Sequence, residues 1–343
     1  MKAAGDLYEA GHEKITEGLA LFESEASNIA IGRVWAMIAA DWDESAMSLC
    51  IIYANSGPGI LSLRLHSLES RKWFEKAIEC ARRLKDERAE SFACSNLGNV
   101  YGRLGKYERA IEYHQRGLAL AQAIGDRRAE GAAFGNLGVI YWNLSEHERT
   151  IDYHQQALAI AREIGNLPDQ GRHLGNLGSV YEDMGEHERA IDYHEQALVI
   201  ARETGDRLSE GAQLVNLGNA YESLDDCPQA ISYYEQALAN ARLIGNRRAE
   251  GISLGNLGSA YWRLGEHRRA IGYYELALAF ARAIGNRRSE GVQLGNLSQA
   301  YKHLGNASKA EELLKASVSI REEIKAPHAD VTRQNLEELR EQP

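Results

Sequence analysis

The histidines of this sequence have a spacing that first suggests a metal site. His147 and His154 are seven residues apart, and so are His187 and His194. If these segments are helical, seven residues separate the side chains by about 10 Å along one helix face. Zinc ligands lie ~2 Å from the ion, so neither pair could share one zinc without ligands from other elements. Tyr234 follows His194 after forty residues, so we predict aromatic packing at this position and no metal site.

No other set of residues in the sequence indicates catalysis. A phosphate-binding loop of the form Gly-x-x-x-x-Gly-Lys-Ser/Thr does not occur, and no nucleophile is recognisably paired with a base. We therefore predict no catalytic residue, no cofactor and no enzymatic activity. An enzyme is the least supported of the function classes that the sequence leaves open.

The most regular polar residues are six asparagines at intervals of forty residues. Each is followed by leucine, and a tyrosine follows four residues after that leucine. Glycine comes directly after the leucine in all copies but the last, which has Ser298. The asparagines are Asn96, Asn136, Asn176, Asn216, Asn256 and Asn296. Because a side-chain amide both donates and accepts hydrogen bonds, a row of them could bind a peptide backbone without reading its sequence.

The forty-residue period predicts the elements that carry these asparagines. Fixed periods of 20 to 50 residues are typical of repeat proteins whose units bury apolar faces against their neighbours. Each unit reads as two helices, the first with Asn-Leu-Gly-x-x-Tyr and the second with Ala-Ile-x-Tyr-x-x-x-Ala-Leu. Glycines should end the helices in turns, and the Asp or Asn after the second turn should cap the next helix. The predicted turns centre on Gly105, Ser145, Gly185, Asp225, Gly265 and Gly305 within the units and on Gly125, Gly165, Gly205, Gly245 and Gly285 between them.

The limits of this periodicity divide the chain. We predict an N-terminal helical cap over residues 1–55, a degenerate repeat over 56–86, six repeats over 87–323 and a C-terminal capping helix over 324–343. Apolar stripes from Leu7 to Phe22 and from Trp35 to Trp42 are typical of such a cap. At the other end, Val331, Leu336 and Leu339 should close the stack.

Charge and hydropathy exclude two classes of partner. With 39 Lys plus Arg against 49 Asp plus Glu, the formal net charge is -10, which disfavours nonspecific binding to nucleic acid. No apolar run reaches the ~20 residues of a membrane span, and the N-terminus lacks the apolar core of a signal peptide. Cys50, Cys80, Cys94 and Cys227 have no paired spacing, which favours a reducing compartment. We therefore predict a cytoplasmic protein without nucleic-acid or membrane partners.

The repeated residues resemble the tetratricopeptide repeat. Leucine, glycine and tyrosine at these offsets fit that family over roughly residues 87–323, as does alanine thirteen residues after the leucine in all units but the one with Thr150. The resemblance implies an all-α right-handed superhelix, or α-solenoid. The long period implies longer helices than the usual ~34-residue repeat has. The Asn-Leu-Gly form is similar to repeats of kinesin light chains and spindle-orientation adaptors, in which groove asparagines bind the backbone of an extended peptide.

A second resemblance concerns the part of the chain before the repeats. It is similar to the segment that precedes tetratricopeptide arrays in bacterial signal-transduction ATPases with numerous domains. The residues that carry it are Ile31, Gly32, Arg33, Trp35, Ala46, Leu49, Cys50, Leu63, Arg64, Leu65, His66 and Trp73. The resemblance implies a ligand-sensing region whose ATPase lies upstream in a larger protein. The alternatives are a free-standing scaffold or adaptor, a peptide-signal receptor, and an array that assembles with copies of itself.

Helical geometry assigns the two sides of the asparagine-bearing helix. At 100° per residue, Arg172, Ser179 and Asp183 lie within about 60° of Asn176. The opposite side should face the interior and carries Leu174, Leu177, Gly178, Tyr181 and Met184. In the resembling family the asparagine side lines the concave groove. The predicted groove residues are the six asparagines with Asn99, Arg103, Asn143, Arg172, Asp183, Asn219 and Arg263, flanked by Trp142 and Trp262.

A structural interpretation of the same residues stays open. The asparagines could bond the adjacent repeat and only hold the stack, or serve both purposes. Gly135, Gly175, Gly255 and Gly295 precede asparagines inside a helix, where glycine costs ~1 kcal/mol relative to alanine. Either a neighbouring helix or a ligand should therefore approach their backbones. The tryptophans could equally pack between repeats or contact a partner.

Overall fold

The computed structural model describes residues 24–55, 67–326 and 329–341. These residues form sixteen α-helices and no strand, which confirms the all-α prediction. The stripe from Leu7 to Phe22 lies outside the described residues. None of the described helices is both long and apolar enough to cross a membrane. The chain separates into two compact units, Met1–His173 and Leu174–Pro343, and each contains its own apolar clusters.

The helices follow the predicted units closely. The helices before the repeats are α1 (Ala26–Ala39), α2 (Glu44–Asn55) and α3 (Ser67–Arg83). The asparagine-bearing helices are α4 (Glu87–Arg103), α6 (Arg127–Asn143), α8 (Leu167–Asp183), α10 (Arg207–Ser223), α12 (Arg247–Arg263) and α14 (Arg287–His303). Their partners are α5 (Tyr107–Ala123), α7 (His147–Glu163), α9 (His187–Thr204), α11 (Cys227–Leu243), α13 (His267–Ala283) and α15 (Ala307–Glu323), followed by α16 (Ala329–Glu341). The division into caps and repeats at the stated boundaries stays a prediction.

Contact between the motif glycine and an aromatic ring joins the two helices of a unit. A Cβ added at Gly178 would lie 2.6 Å from the His194 ring, and one at Gly218 would lie 2.4 Å from the Tyr234 ring. No side chain fits at such a distance, so glycine allows the close approach. The tyrosines of the two helices also stack in five units, with ring centroids 5.2–5.5 Å apart. The leucine before each of the five motif glycines is 0% exposed, so this contact forms the centre of the core in those five units.

The turn and cap predictions are confirmed. All predicted turn residues have positive φ, including Ser145 at 59° and Asp225 at 61°. Pro228 lies in the first turn of α11, where its missing N–H removes no helical bond. The N-cap oxygens that accept a backbone N–H three residues ahead belong to Asp126, Asn166, Asp206, Asn246 and Asn286. Local sequence therefore determines where these helices begin and end.

A buried glutamate ties consecutive units together. Glu210 on α10 accepts hydrogen bonds from Arg202 of α9 at 3.1 Å and from Arg207 at 2.6 Å. The equivalent glutamates one and two repeats later are bonded in the same way. Arg242 and Arg247 donate to Glu250, and Arg282 and Arg287 donate to Glu290. Burial raises the pKa of the Glu210 carboxyl, but the hydrogen bonds from Arg207 and Arg202 outweigh it and the pKa is lowered. The carboxylate is therefore held in its charged form between the repeats.

Five apolar residues differ from the predicted orientation. Met184 is 39% exposed because it follows the last residue of α8, where the helical period no longer applies. Val331 is 52% exposed in the first turn of α16, whereas Leu336 and Leu339 pack against α15. In the predicted stripe of Trp35, Ile38, Ala39 and Trp42, only Ala39 is buried, and Trp35, Ile38 and Trp42 are 50%, 59% and 71% exposed. The C-terminal helix thus covers the last repeat with only part of its predicted apolar face.

Candidate functional site

The asparagines lie at the surface side of the first helix of each unit, as predicted. Each is half-buried, whereas the leucine next to it is buried. We define the asparagine face as the six asparagines and the residues four before, three after and seven after each of them. In the first compact unit the residues of this face lie on α4 and α6, and in the second they lie on the part of α8 that contains Asn176 and on α10, α12 and α14.

Two asparagines bond a neighbouring repeat. The Asn136 amide donates to Ser95 Oγ at 3.2 Å, and the Asn256 amide donates to Asn219 Oδ1 at 3.4 Å. Asn219 Oδ1 also accepts a hydrogen bond from the Tyr234 hydroxyl at 2.8 Å. These two asparagines therefore brace the stack. Sequence reasoning missed Ser95, although it replaces the glycine that precedes the asparagine in four other units.

Three asparagines have side-chain amides that bond nothing within the described part of the chain. They are Asn176, Asn216 and Asn296. In a fourth, Asn96, the amide nitrogen is buried and has no partner among the described residues. A ligand that bonds such an amide gains about 0.5–1.5 kcal/mol for each hydrogen bond. The asparagine face therefore has unused capacity at the central and C-terminal repeats.

Two of the predicted charged residues of the face, Arg172 and Arg263, form ion pairs with carboxylates of the protein itself. Arg172 Nη2 donates to Asp169 Oδ1 at 2.7 Å, and Arg263 Nη2 donates to Asp225 Oδ1 at 2.5 Å. Asn143 donates to a carbonyl of its own helix at 2.8 Å. The other predicted residues are half-buried Asn99 and exposed Arg103, Asp183 and Asn219. The unused hydrogen-bonding capacity identified above is thus carried by neutral amides.

Exposed apolar side chains lie beside these amides. Phe92, Val139, Ile252 and Val292 all belong to the asparagine face, and each is 38–41% exposed. Their positions are four residues before or three residues after an asparagine. The face therefore combines neutral hydrogen-bonding groups with separate apolar side chains. An extended peptide is complementary to both, since its backbone forms hydrogen bonds and its side chains make apolar contacts.

The two flanking tryptophans are both half-buried. The Trp262 ring centroid lies 4.3 Å from that of His267 and 5.2 Å from that of His303. Because His303 belongs to the following repeat, Trp262 packs between repeats. Because Trp262 is only half-buried, this packing does not remove it from the predicted set, which also contains Trp142.

Side chains of the protein occupy the space beside three of the four helix-interior glycines. A Cβ added at Gly135 would lie 2.6 Å from His173 Cε1, and one at Gly175 or Gly255 would lie 2.8 Å from a glutamine amide. At Gly295 the nearest atom is 3.6 Å away, an ordinary contact distance. Packing between neighbouring helices therefore accounts for the first three glycines, and no ligand needs to be invoked for them.

The repeat histidines are core residues, which confirms the packing prediction. His114, His154, His173 and His194 are at most 2% exposed. Burial lowers the pKa of His114 to about 4. Burial, together with the charges of His173 and Arg172, lowers the pKa of His154 to about 3. Among the residues that the structure describes, no group of three His, Cys, Asp or Glu side chains could hold a metal ion.

Comparison with protein families identifies the repeated unit. A family model described as tetratricopeptide repeat matches residues 64–123, 129–203 and 210–283, and a second model of the same description matches residues 292–324. Together these matches cover more than half of the chain. No curated protein sequence matches it.

Several solved structures have a similar fold. A Signal Transduction ATPase with Numerous Domains that carries a tetratricopeptide repeat sensor, from Pyrococcus horikoshii, has a TM-score of 0.64 and 21% identity over 84% of this chain and 47% of its own. A Rap protein complexed with Competence and Sporulation Factor has a TM-score of 0.54 and 14% identity over 92% of this chain and 98% of its own. Repeats of a protein described as a kinesin light chain, from Podosopora anserina, have a TM-score of 0.50 and 19% identity over 60% of this chain and 97% of their own. At these identities the likeness concerns the fold.

Proposed function

Because the chain belongs to the tetratricopeptide-repeat family, we propose that it is a non-enzymatic module that binds an extended segment of a protein or peptide along the asparagine face. The observation that carries this proposal is the set of unused side-chain amides at Asn176, Asn216 and Asn296. A peptide backbone offers one donor and one acceptor per residue, which matches such amides. Ile252 and Val292 beside them supply apolar contact for the side chains of the ligand.

The spacing of the helices sets the register of such a ligand. Packed helices lie ~10 Å apart, and an extended chain advances ~3.3 Å per residue. Every third ligand residue therefore meets one asparagine. The four asparagines of the second compact unit, Asn176 to Asn296, would hold a segment of roughly ten residues.

Selection from a display library of random fifteen-residue peptides tests this function. Peptides that the protein enriches should bind it in a saturable manner with one peptide per chain, as measured by isothermal titration calorimetry. The alternative of a self-assembling array predicts a different result. In that case light scattering would show a mass that rises with protein concentration, and the library would yield no saturable binder.

We further propose that the chain is the ligand-sensing region of a bacterial signal-transduction ATPase and acts in the cytoplasm. The resemblance of the residues before the repeats, such as Arg33 and Trp73, supports this role. So does the fold of the P. horikoshii ATPase, of which this chain spans 47%. In this arrangement the ATPase lies upstream and responds to a ligand on the asparagine face, and the four buried, unpaired cysteines suit a reducing compartment.

The genomic reading frame tests the sensor role. An ATPase with a phosphate-binding loop, encoded upstream in the same frame, would support it. A start codon at Met1 with no such ATPase in frame would contradict it and would favour a free-standing adaptor or a peptide-signal receptor. Either result leaves peptide binding along the asparagine face to be judged by the library selection.

A further inference from the structure

A cavity between two consecutive repeats opens on the asparagine face. It has a volume of about 300 Å³ and lies among α10, α11 and α12 in the second compact unit. Its walls include the apolar side chains of Val215, Ala237, Ala241 and Ile244. Ala212 and Ile252 at its mouth are exposed and belong to the asparagine face. A side chain of a segment bound along that face could therefore enter it.

The cavity wall has a polar residue at a repeat position that is apolar in the other units. Asn240 occupies the position, whereas the other units have large apolar residues there: Leu120, Ile160, Ile200, Phe280 and Ile320. A Cβ added at Gly211, which also lines the cavity, would meet the Asn240 side-chain oxygen at 3.4 Å. The wall of this cavity therefore carries a polar side chain at a position where the other five units have an apolar one.

Two polar groups of the cavity wall are buried without partners. Asn240 is 7% exposed, and neither its amide nitrogen nor its amide oxygen bonds any described residue. Ser253 is 0% exposed, and its hydroxyl also has no partner there. Buried polar groups without hydrogen bonds are destabilising, and native proteins rarely retain them without a reason. A ligand group that supplies both a donor and an acceptor would satisfy them.

The charge at the cavity restricts the ligand. Arg207 is the one charged side chain among the described residues that line it, and its guanidinium donates to Glu210 at 2.6 Å. A carboxylate or an ammonium group would therefore enter without a free counter-charge, which is costly. A purely apolar side chain would leave Asn240 and Ser253 unsatisfied. A neutral group with an aliphatic stem remains.

We propose that this cavity binds a primary amide on a short aliphatic stem, which in a bound peptide is the side chain of glutamine. The amide oxygen accepts a hydrogen bond from Asn240 Nδ2 or Ser253 Oγ, and the amide nitrogen donates to Asn240 Oδ1. The stem contacts Val215, Ala237 and Ala241. The glutamine assignment rests on the proposed binding of a peptide, but the cavity itself recognises an isolated amide. It would give the otherwise sequence-tolerant asparagine face one position of side-chain specificity.

Butyramide, which reproduces the glutamine side chain with its Cα, is the probe for the cavity. Titrated into the full ¹⁵N-labelled chain, it should shift the Asn240 side-chain amide resonances and the backbone amide resonances of Val215, Ala237 and Ala241 in a saturable manner, with a dissociation constant on the order of 1 mM. Pentan-2-one lacks the amide donors and should bind about fivefold to tenfold more weakly, and butyrate should bind more weakly still. Equal binding of pentan-2-one would show an apolar cavity without amide recognition and would overturn the proposal.

Variants separate the cavity from the rest of the face. Asn240→Ile introduces the residue found at Ile160 and Ile320, so it should remove both amide partners of the ligand, abolish the butyramide shifts of the Val215, Ala237 and Ala241 backbone amides, and keep or raise the melting temperature. Ser253→Ala introduces the residue that Ala93 has at the same repeat position, and it should weaken butyramide binding severalfold. Asn176→Ala lies outside the cavity lining and should bind butyramide as the wild type does. Undiminished binding by Asn240→Ile would contradict the assignment.

The peptide arm distinguishes failure of this proposal from failure of the general one. Replacing the critical glutamine of a selected peptide by leucine should weaken binding to the wild-type protein about tenfold but have little effect on Asn240→Ile. If butyramide binds but the library yields no binding peptide, the amide-binding cavity is supported and the peptide-binding function is refuted. If peptides bind without any dependence on glutamine and butyramide causes no shift, the peptide-binding function is supported and the amide-binding cavity is refuted.

Discussion

At the scale of single residues, the contact between the motif glycine and an aromatic ring sets how closely the two helices pack in five of the six units. The His194 ring leaves no room for a Cβ at Gly178, whereas nothing lies within 4 Å of the Cβ position at Gly272. Both glycines are helical, so helix propensity treats them alike and packing alone separates them. Similar contacts at Gly98 and Gly258 show that the requirement recurs.

Two alanine variants test this reading. Gly178→Ala should lower the free energy of unfolding by about 1–3 kcal/mol because the added methyl group overpacks the core. Gly272→Ala should raise it by ~1 kcal/mol because alanine is the better helix former. Urea denaturation of both variants beside the wild type gives the two values. Destabilisation of similar size in both variants would show that packing against the ring is not the cause.

Buried histidines make stability depend on pH. The folded-state pKa is lowered to about 4 for His114, about 3 for His154 and about 4 for His173, chiefly by burial, while the unfolded value is ~6.5. Below that value the unfolded chain binds more protons than the folded one. The contribution of the neutral rings is therefore complete above pH ~6.5 and is lost as the pH falls toward the folded pKa values.

The expected loss between pH 6.5 and 5.5 is about 1 kcal/mol for each of these histidines. His114→Tyr should reduce the summed loss by about 1 kcal/mol, because Tyr234 occupies the equivalent position beside Gly218 and bonds Asn219, whose counterpart is Asn99. Urea denaturation at the two pH values measures both effects. Equal stability of the wild type at pH 6.5 and 5.5 would contradict the burial of neutral rings.

At the scale of elements, buried glutamates connect one helix pair to the next. Glu250 is 5% exposed and accepts from Arg242 at 2.9 Å and Arg247 at 3.3 Å. Glu266 also pairs with an arginine, Arg269, at 2.8 Å, but both of these side chains are exposed. Charged hydrogen bonds gain most where the group is withdrawn from water. The two glutamates therefore form a matched comparison of buried and exposed pairs.

Glu250→Gln should cost about 1–3 kcal/mol of unfolding free energy because a neutral amide cannot accept both charged hydrogen bonds equally well. Glu266→Gln should cost less than ~1 kcal/mol, since exposed ion pairs are weak. Thermal and urea unfolding give the comparison. If the two variants lose the same amount, the buried glutamate does not tie the units together as described.

The same scale shows what the sequence could and could not predict. Helix ends followed from local residues such as Gly125 and Asp126, whose conformation and capping depend on the nearest backbone. The partner of Asn136 did not follow, because Ser95 lies 41 residues away on another helix and the bond depends on their side-chain geometry. The sequence does show that Asn240 replaces an apolar residue in one unit. The cavity beside it could not be predicted, because its size depends on how the three helices pack.

At the scale of the whole molecule, the proposed function depends on asparagines that have different structural roles. Asn136 and Asn256 bond neighbouring repeats, whereas Asn176 and Asn216 bond nothing among the described residues. Replacement by alanine should therefore separate stability from binding. Asn136→Ala is the matched control, and it should reduce stability by breaking a bond between repeats.

The most direct test of peptide binding is the double variant Asn176→Ala/Asn216→Ala, measured with a selected peptide that lacks glutamine. Two or more lost hydrogen bonds, together worth about 1–3 kcal/mol, should weaken the peptide roughly five- to 150-fold in isothermal titration calorimetry. The melting temperature without peptide should stay unchanged or rise, because alanine favours helices by roughly 0.5 kcal/mol per site. Unchanged affinity together with a clearly lower melting temperature would show that these asparagines hold the repeats together and do not bind the ligand.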